Sequence, residues 1–201
     1  ISNPWSRLRY GFLSEFGDQI DTAKQVEWAK RLHLTAIQFY DWAYKHEFLI
    51  SPSESYADPL GGFISKAKLK ELIRAYEDAG IFASGYVAVY AVDREGWSRW
   101  YESGLYGDDG KPFQLGEDFL WVVDPADKRW LPHLINQIKQ ARDFGFKTFH
   151  LDQYGWPKRA LKKDGTVVDV ATQFTVMLNQ ITSQITGAQF IFNNVNDFPT
   201  W

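Results

Sequence analysis

The chain has 201 residues, of which 45% are hydrophobic and 23% are charged, and its formal net charge is −3. This composition supports one sizeable core and excludes a disordered chain, and the scattered basic residues offer nucleic acid no basic surface. The absence of cysteine excludes disulfides, thiolate metal sites and a cysteine nucleophile.

Five runs of apolar, β-branched and aromatic residues predict strands, at residues 9–14, 36–41, 81–90, 148–152 and 189–193. Helical patterns fill the gaps between them. Because strands and helices alternate along the whole chain, we expect an α/β fold with a parallel sheet.

Residue types at the helix starts and the apolar spacing define the predicted helices. Asp21, Ser65 and Asp124 are suitable N-caps. The positions expected to face the core are Val26, Ala29 and Leu32; Leu69, Leu72, Ile73 and Tyr76; Trp130, Leu131, Leu134, Ile135, Ile138 and Ala141; and Val170, Phe174, Leu178, Ile181 and Ile185.

The connections that follow the strands are long, at residues 44–64, 91–123 and 153–169, and they are rich in Gly, Pro, Asp and aromatic residues. Long connections on one rim are typical of the functional end of an α/β barrel. A closed (β/α)8 TIM barrel usually takes about 250 residues. We therefore expect residues 1–201 to hold the first five β/α units of a single catalytic barrel, incomplete without a C-terminal part, with a five-stranded open sheet as the competing architecture.

Several other classes of protein have no support in the sequence. No run of 18 apolar residues predicts a membrane span, and no dinucleotide, P-loop or paired-histidine zinc motif follows a strand. We expect no cofactor, no metal, no nucleic acid and no membrane partner. The absence of cysteine fits an exported protein, so we expect a secreted, extracellular location, although the first residues carry no signal peptide.

The stretch from His150 to Tyr154 ends a predicted buried strand with a carboxylate. On an alternating strand His150 and Asp152 share one face, while Phe149 and Leu151 share the other. Asp152 is therefore the first candidate for chemistry. The competing interpretation is that it caps the next segment or pairs with a buried arginine.

Acids, amides and aromatic rings dominate the other predicted strand ends. Such a mixture suits a neutral polyhydroxylated ligand, whose hydroxyls need polar partners and whose ring faces need aromatic surfaces. Glycoside hydrolysis needs two carboxyl groups, and Asp152 is the stronger candidate for one of them. Asp41 also ends a strand, but alternation lets only one of Tyr40 and Asp41 point inward, so we expect Asp41 to bind substrate.

Short motifs in a fixed order give the chain a family resemblance. They are Arg9-Tyr10-Gly11-Phe12, Ile37-Gln38-Phe39-Tyr40-Asp41-Trp42, Asp58-Pro59-Leu60-Gly61, Tyr86-Val87-Ala88-Val89-Tyr90-Ala91, Gln153-Tyr154-Gly155-Trp156-Pro157 and Asn193-Asn194-Val195-Asn196. The set resembles glycoside hydrolase family 66, which holds the endo-dextranases and the cycloisomaltooligosaccharide glucanotransferases. The resemblance covers nearly the whole chain.

The resemblance implies a retaining endo-acting enzyme that cleaves α-1,6-glucosidic bonds in dextran or isomaltooligosaccharides, by hydrolysis or by cyclising transglycosylation. The family's nucleophile, a strand-four aspartate, matches Asp152. Its acid/base glutamate lies on a later strand and matches no residue here, so we expect it beyond Trp201 and expect this piece alone to lack activity.

By motif position, the resemblance assigns glucose binding to Tyr40, Asp41, Trp42, Tyr90, His150, Gln153 and Asn194. Core packing is the competing interpretation for Tyr40, Trp42, Tyr90 and His150. Two other functions stay open: a retaining α-glycosidase of another clan, and a non-catalytic glucan-binding fragment.

Overall fold

The computed structural model describes the backbone of residues 7–194 and the side chains in that range except those of Gln153, Tyr154 and Asn194. Its centre is a five-stranded parallel sheet whose strands follow chain order. The strands are β1 (Tyr10–Leu13), β2 (Ala36–Phe39), β3 (Phe82–Ala88), β4 (Thr148–Tyr154) and β5 (Gln189–Asn194). All five predicted strands are confirmed, and their ends differ from the prediction by at most two residues.

Helices fill the connections; four of them were predicted, and the short helix at Arg94–Trp100 was not. They are α1 (Thr22–Arg31), α2 (Lys66–Asp78), α3 (Arg94–Trp100), α4 (Trp130–Phe144) and α5 (Val170–Gln184), with a 3-10 turn at Tyr101–Ser103. Two predicted caps are confirmed, since Asp21 accepts from the amide of Lys24 and Ser65 accepts from that of Lys68. Each cap satisfies one of the amides that a helix start leaves without a partner.

In three details the helices differ from the prediction, although Leu178 still packs against the core. Leu32 is 63% exposed, because α1 ends one residue earlier and Leu32 is its C-cap. Leu178 is only partly buried, and Met177 takes the fully buried position of that turn. Asp124 caps a turn, not α4; the carboxylate of Asp127 instead accepts from the amides of Arg129 and Trp130 at the helix start.

The helices cover one face of the sheet. Crossovers between parallel strands share one hand, so a sheet whose strands follow chain order carries its helices on a single side. The side chains of Phe39, Phe149 and Leu151 are fully buried in one continuous core with α2, α4 and α5. Among residues 7–194 no helix covers the opposite face, which can therefore hold a site.

The long connections form small antiparallel sheets around the carboxyl ends of the strands. Two are hairpins, Ser55–Ala57 with Phe63–Ser65 and Arg159–Leu161 with Val167–Asp169, and the third joins Ala91–Val92, Leu120–Val122 and Gln114–Leu115. Tyr106 and Leu161 exchange two backbone hydrogen bonds of 2.8 Å and link two of these connections. The rim at the carboxyl ends of the strands is therefore formed by hairpins and a small sheet that contact one another.

Over residues 7–194 the sheet is open, with β1 and β5 as its edges. Phe12 on β1 is 67% exposed on the helix-free face. The described residues thus have the open-sheet architecture, and a closed barrel stays a prediction. None of the helices in this range is long and apolar enough to cross a membrane.

Candidate active site at the helix-free face

The predicted alternation along β4 is confirmed. Phe149 and Leu151 are fully buried toward the helices, while His150 and Asp152 line a cleft on the helix-free face. The cleft has a volume of about 470 Å³. Its walls come from three other strands as well as β4, and its lining residues are Tyr10, Phe12, Gln38, Tyr40, His150, Asp152, Ile191, Phe192 and Asn193.

Asp152 lies near the carboxyl end of β4 and is 6% exposed. The hydroxyl of Tyr86 donates to its Oδ2 over 2.8 Å, and the side-chain amide of Asn193 donates to its Oδ1 over 2.5 Å. Each carboxylate oxygen therefore has one neutral donor. A carboxylate held by neutral donors keeps its negative charge available to a ligand, unlike one that is paired with an arginine.

A second polar chain crosses the bottom of the cleft. The hydroxyl of Tyr10 donates to Oε1 of Gln38 over 2.9 Å and lies 2.8 Å from Nδ1 of His150. A phenol has one proton, so Tyr10 accepts from Nδ1–H of His150 when it donates to Gln38. This arrangement leaves Nε2 of His150 as a hydrogen-bond acceptor.

Burial lowers the pKa of His150 below its ordinary value of 6.5, and the charge of Asp152 only partly opposes this effect. The imidazole is therefore neutral at pH 7. A neutral imidazole with a free ring nitrogen can accept a hydrogen bond from a sugar hydroxyl.

Asp41 is placed differently from the prediction. Strand β2 ends at Phe39, and Asp41 adopts a left-handed backbone conformation with φ of 50°. Strand alternation therefore does not reach Asp41 and does not force a choice between it and Tyr40. Asp41 lines a small cavity with Tyr86 beside the cleft.

The carboxyl group of Asp41 is unusually weak as an acid. Burial, followed by the charges of Asp58 and Asp152, raises its pKa from 3.8 to about 6. The two neighbouring acids and the partial burial make the ionised form costly. The group is thus suited to hydrogen bonding with hydroxyls in either protonation state.

Tyr40 is one of the exposed aromatic rings that line the cleft, with Phe12 and Phe192. It is 40% exposed, and its ring centroid lies 5.3 Å from that of Tyr86. An exposed ring held against a buried one offers a fixed apolar surface to a ligand at little entropic cost.

Trp42 and Tyr90, which are also expected to bind glucose, do not line the cleft. Both are fully buried. The indole nitrogen of Trp42 donates to the backbone oxygen of Tyr86 over 3.0 Å, and its ring lies 4.5 Å from that of Phe146. The ring of Tyr90 packs edge-on against Phe174. The core-packing interpretation describes both residues.

The side chains of Gln153 and Asn194, also expected to bind glucose, lie outside the described part of the structure. Within the described residues, no group of three or more His, Asp or Glu side chains is arranged to hold a metal ion.

No role was predicted from the sequence for Tyr10, Phe12, Gln38, Tyr86 or Asn193, although Tyr86 and Asn193 are among the predicted strand ends of the functional rim. Tyr86 and Asn193 follow from register, because Tyr86 is the partner of His150 and Asn193 lies on the strand next to Asp152. The same alternation that placed Asp152 inward, applied to every strand, would have indicated all five.

Comparisons with known proteins identify the family of the chain. The model of glycosyl hydrolase family 66 matches residues 1–200. Two curated relatives, both cycloisomaltooligosaccharide glucanotransferases of Niallia circulans, are 29% identical over 96% of the chain and 30% identical over 89% of it. The chain spans only 22% and 20% of their respective lengths.

Solved structures show the same fold. A Paenibacillus sp. cycloisomaltooligosaccharide glucanotransferase, complexed with cycloisomaltoheptaose, matches with a TM-score of 0.84 at 24% identity, over 96% of this chain and 31% of that one. An α-galactosidase from Thermus thermophilus matches with a TM-score of 0.60 at 14% identity, over 92% of this chain and 37% of the other.

Proposed function

Since this chain belongs to glycosyl hydrolase family 66, we propose that it carries the nucleophile half of a retaining site for α-1,6-linked glucan, with Asp152 as the nucleophile. The whole protein is then a dextranase-like endo-hydrolase or a cyclising glucanotransferase. The observation that carries the proposal is the carboxylate of Asp152, held by two neutral donors in an aromatic cleft.

The proposed reaction has two steps, and each inverts the configuration at the anomeric carbon. A carboxylate oxygen of Asp152 attacks C1 of a glucosyl unit, and the bond from C1 to the leaving O6 breaks. The leaving oxygen takes a proton from a general acid, which we assign to a glutamate elsewhere in the whole protein. Water, or a sugar hydroxyl in a transglycosylase, then gives its proton to that glutamate, now a carboxylate, and attacks C1, and the bond between C1 and the oxygen of Asp152 breaks.

Tyr40 and His150 in the cleft, and Asp41 beside it, have binding roles in this proposal. Tyr40 presents its exposed ring to the C–H face of a glucose unit. Asp41 and Nε2 of His150 accept hydrogen bonds from sugar hydroxyls. A glucan is neutral, so a site with acceptors and rings but few cations fits it better than a phosphorylated ligand.

We also propose that further polypeptide of the whole protein closes the sheet into a barrel. The supporting observations are the open edges at β1 and β5 and the exposed ring of Phe12. Unpaired edges and exposed apolar faces are normally covered. In the whole protein, amides of β1 should exchange with deuterium as slowly as those of β3; rapid exchange at β1 would contradict closure.

The test of function is the release of products from dextran by the whole protein that contains these residues. We expect isomaltooligosaccharides or their cyclic forms, and a loss on the order of 10⁴-fold or more in the Asp152→Asn variant. Asp143→Asn, at an exposed carboxylate on α4, is the matched control and should retain full activity. Release of monosaccharide from chain ends would instead favour the α-glycosidase alternative, and binding without turnover would favour a glucan-binding role.

A further inference from the structure

Both oxygens of the Asp152 carboxylate are occupied by donors from neighbouring strands. Tyr86 on β3 donates to Oδ2, and Asn193 on β5 donates to Oδ1. One donor alone would let the carboxylate rotate about its Cβ–Cγ bond. Two donors from opposite sides fix the plane of the group and therefore the direction in which its lone pairs point.

Tyr86 is itself held rigidly. It is 6% exposed, and its ring lies between those of Tyr40, at 5.3 Å, and His150, at 6.2 Å. The buried indole of Trp42 donates to its backbone oxygen. A donor whose ring and backbone are both restrained can orient a reactive group within the narrow tolerance that catalysis requires.

Tyr86 can act only as a donor to Asp152. Burial, followed by the charge of Asp152, raises the pKa of the phenol well above its ordinary value of 10. The hydroxyl therefore stays protonated at neutral pH. Its hydrogen bond to a carboxylate is charge-assisted, and such bonds are roughly twice as strong as neutral ones.

We propose that Tyr86 is a positioning residue that acts through Asp152, with Asn193 as the second support of the same carboxylate. This inference rests on the proposed function, because it assumes that Asp152 is the attacking group. Tyr86 thus sets the rate of the step that Asp152 performs and leaves glucan affinity unchanged.

The experiment compares Tyr86→Phe and Asn193→Ala with the wild type in the whole protein, by steady-state kinetics on isomaltooligosaccharides and by calorimetric binding. Tyr86→Phe keeps the ring and removes only the donor. We expect kcat to fall about 10-fold to 100-fold in each variant, a size typical of lost orientation, with the dissociation constant changed less than about 2-fold. Tyr76→Phe, at a buried tyrosine of α2 on the far side of the sheet, is the matched control and should leave kcat unchanged.

Tyr86→Phe combined with Asp152→Asn separates positioning from general structural damage. If Tyr86 acts through Asp152, the added substitution should not lower the residual rate of Asp152→Asn any further. An additional 10-fold loss, or an unchanged kcat in Tyr86→Phe alone, would overturn the inference. Full activity in Asp152→Asn alone would instead overturn the proposed function, so the two failures are distinguishable.

Discussion

Tyr10 and His150 are 140 residues apart in the chain, yet the phenol oxygen of one lies 2.8 Å from Nδ1 of the other. The same phenol donates to Gln38, so one hydroxyl joins the first, second and fourth strands of the sheet. This single group supports both the stability of the open face and the tautomer of His150.

Tyr10→Phe tests that support. The substitution leaves Oε1 of Gln38 and Nδ1 of His150 without the hydroxyl they share, and a buried polar group without a partner costs about 1–3 kcal/mol. We expect the free energy of unfolding in urea to fall by that amount. Tyr106→Phe, which removes a more accessible hydroxyl bonded to the backbone of Tyr101, should cost clearly less. Equal losses in the two variants would argue against a special role for Tyr10.

Tyr40→Ala tests the proposed aromatic surface of the cleft. Aromatic contacts contribute about 0.5–1.5 kcal/mol beyond buried area, so we expect roughly 3-fold to 10-fold weaker binding of isomaltooligosaccharides by calorimetry. Tyr101→Ala is the matched control, because Tyr101 is 39% exposed and does not line the cleft. Weaker binding in the control but not in Tyr40→Ala would place the sugar elsewhere.

The five parallel strands and the face on which Asp152 lies followed from the sequence, because both depend on local periodicity, whereas closure into a barrel stays a prediction. Apolar runs predicted all five strands, and alternation along residues 148–152 put Asp152 and His150 on the open face. Alternation of side chains holds only within a strand. It therefore could not predict the direction of the Asp41 side chain, because Asp41 follows the strand and has a positive φ.

Side-chain contacts between residues on different strands could not be predicted from the sequence. Nothing local distinguishes Trp42, whose ring packs in the core, from Tyr40 two residues earlier, which stays exposed. The difference depends on Phe146, more than 100 residues away in the chain, against which Trp42 packs. Likewise, the link between Tyr10 and His150 exists only after the sheet has formed.

Glu47, which lies outside the cleft, should make the stability of the protein depend on pH. It is 2% exposed, its Oε2 has no hydrogen-bond partner among the described residues, and burial, followed by the charge of Asp93, raises its pKa from 4.5 to about 7. The folded protein thus holds a proton on Glu47 that the unfolded chain releases near pH 4.5. The stability that this difference contributes is present at low pH and is lost as the pH rises through about 7.

The Glu47→Gln variant has no such ionisation. At pH 8 we expect its free energy of unfolding to be about 1–3 kcal/mol larger than that of the wild type, whereas at pH 5 the two free energies should be nearly equal. Urea unfolding at both pH values measures this. Glu117→Gln, at an exposed carboxylate, should show no difference between the two pH values. A Glu47→Gln variant whose stability relative to the wild type is the same at pH 5 and pH 8 would show that folding does not raise the pKa of Glu47.

The central claim is that Asp152 forms a covalent bond to the sugar. The direct measurement is mass spectrometry of peptides from the whole protein, after acid quenching of its reaction with an isomaltooligosaccharide fluoride that carries a rate-slowing fluorine on the reacting sugar. We predict a glycosyl mass on the peptide that contains Asp152, and none there in Asp152→Asn. A glycosyl mass on any other carboxylate would contradict the account.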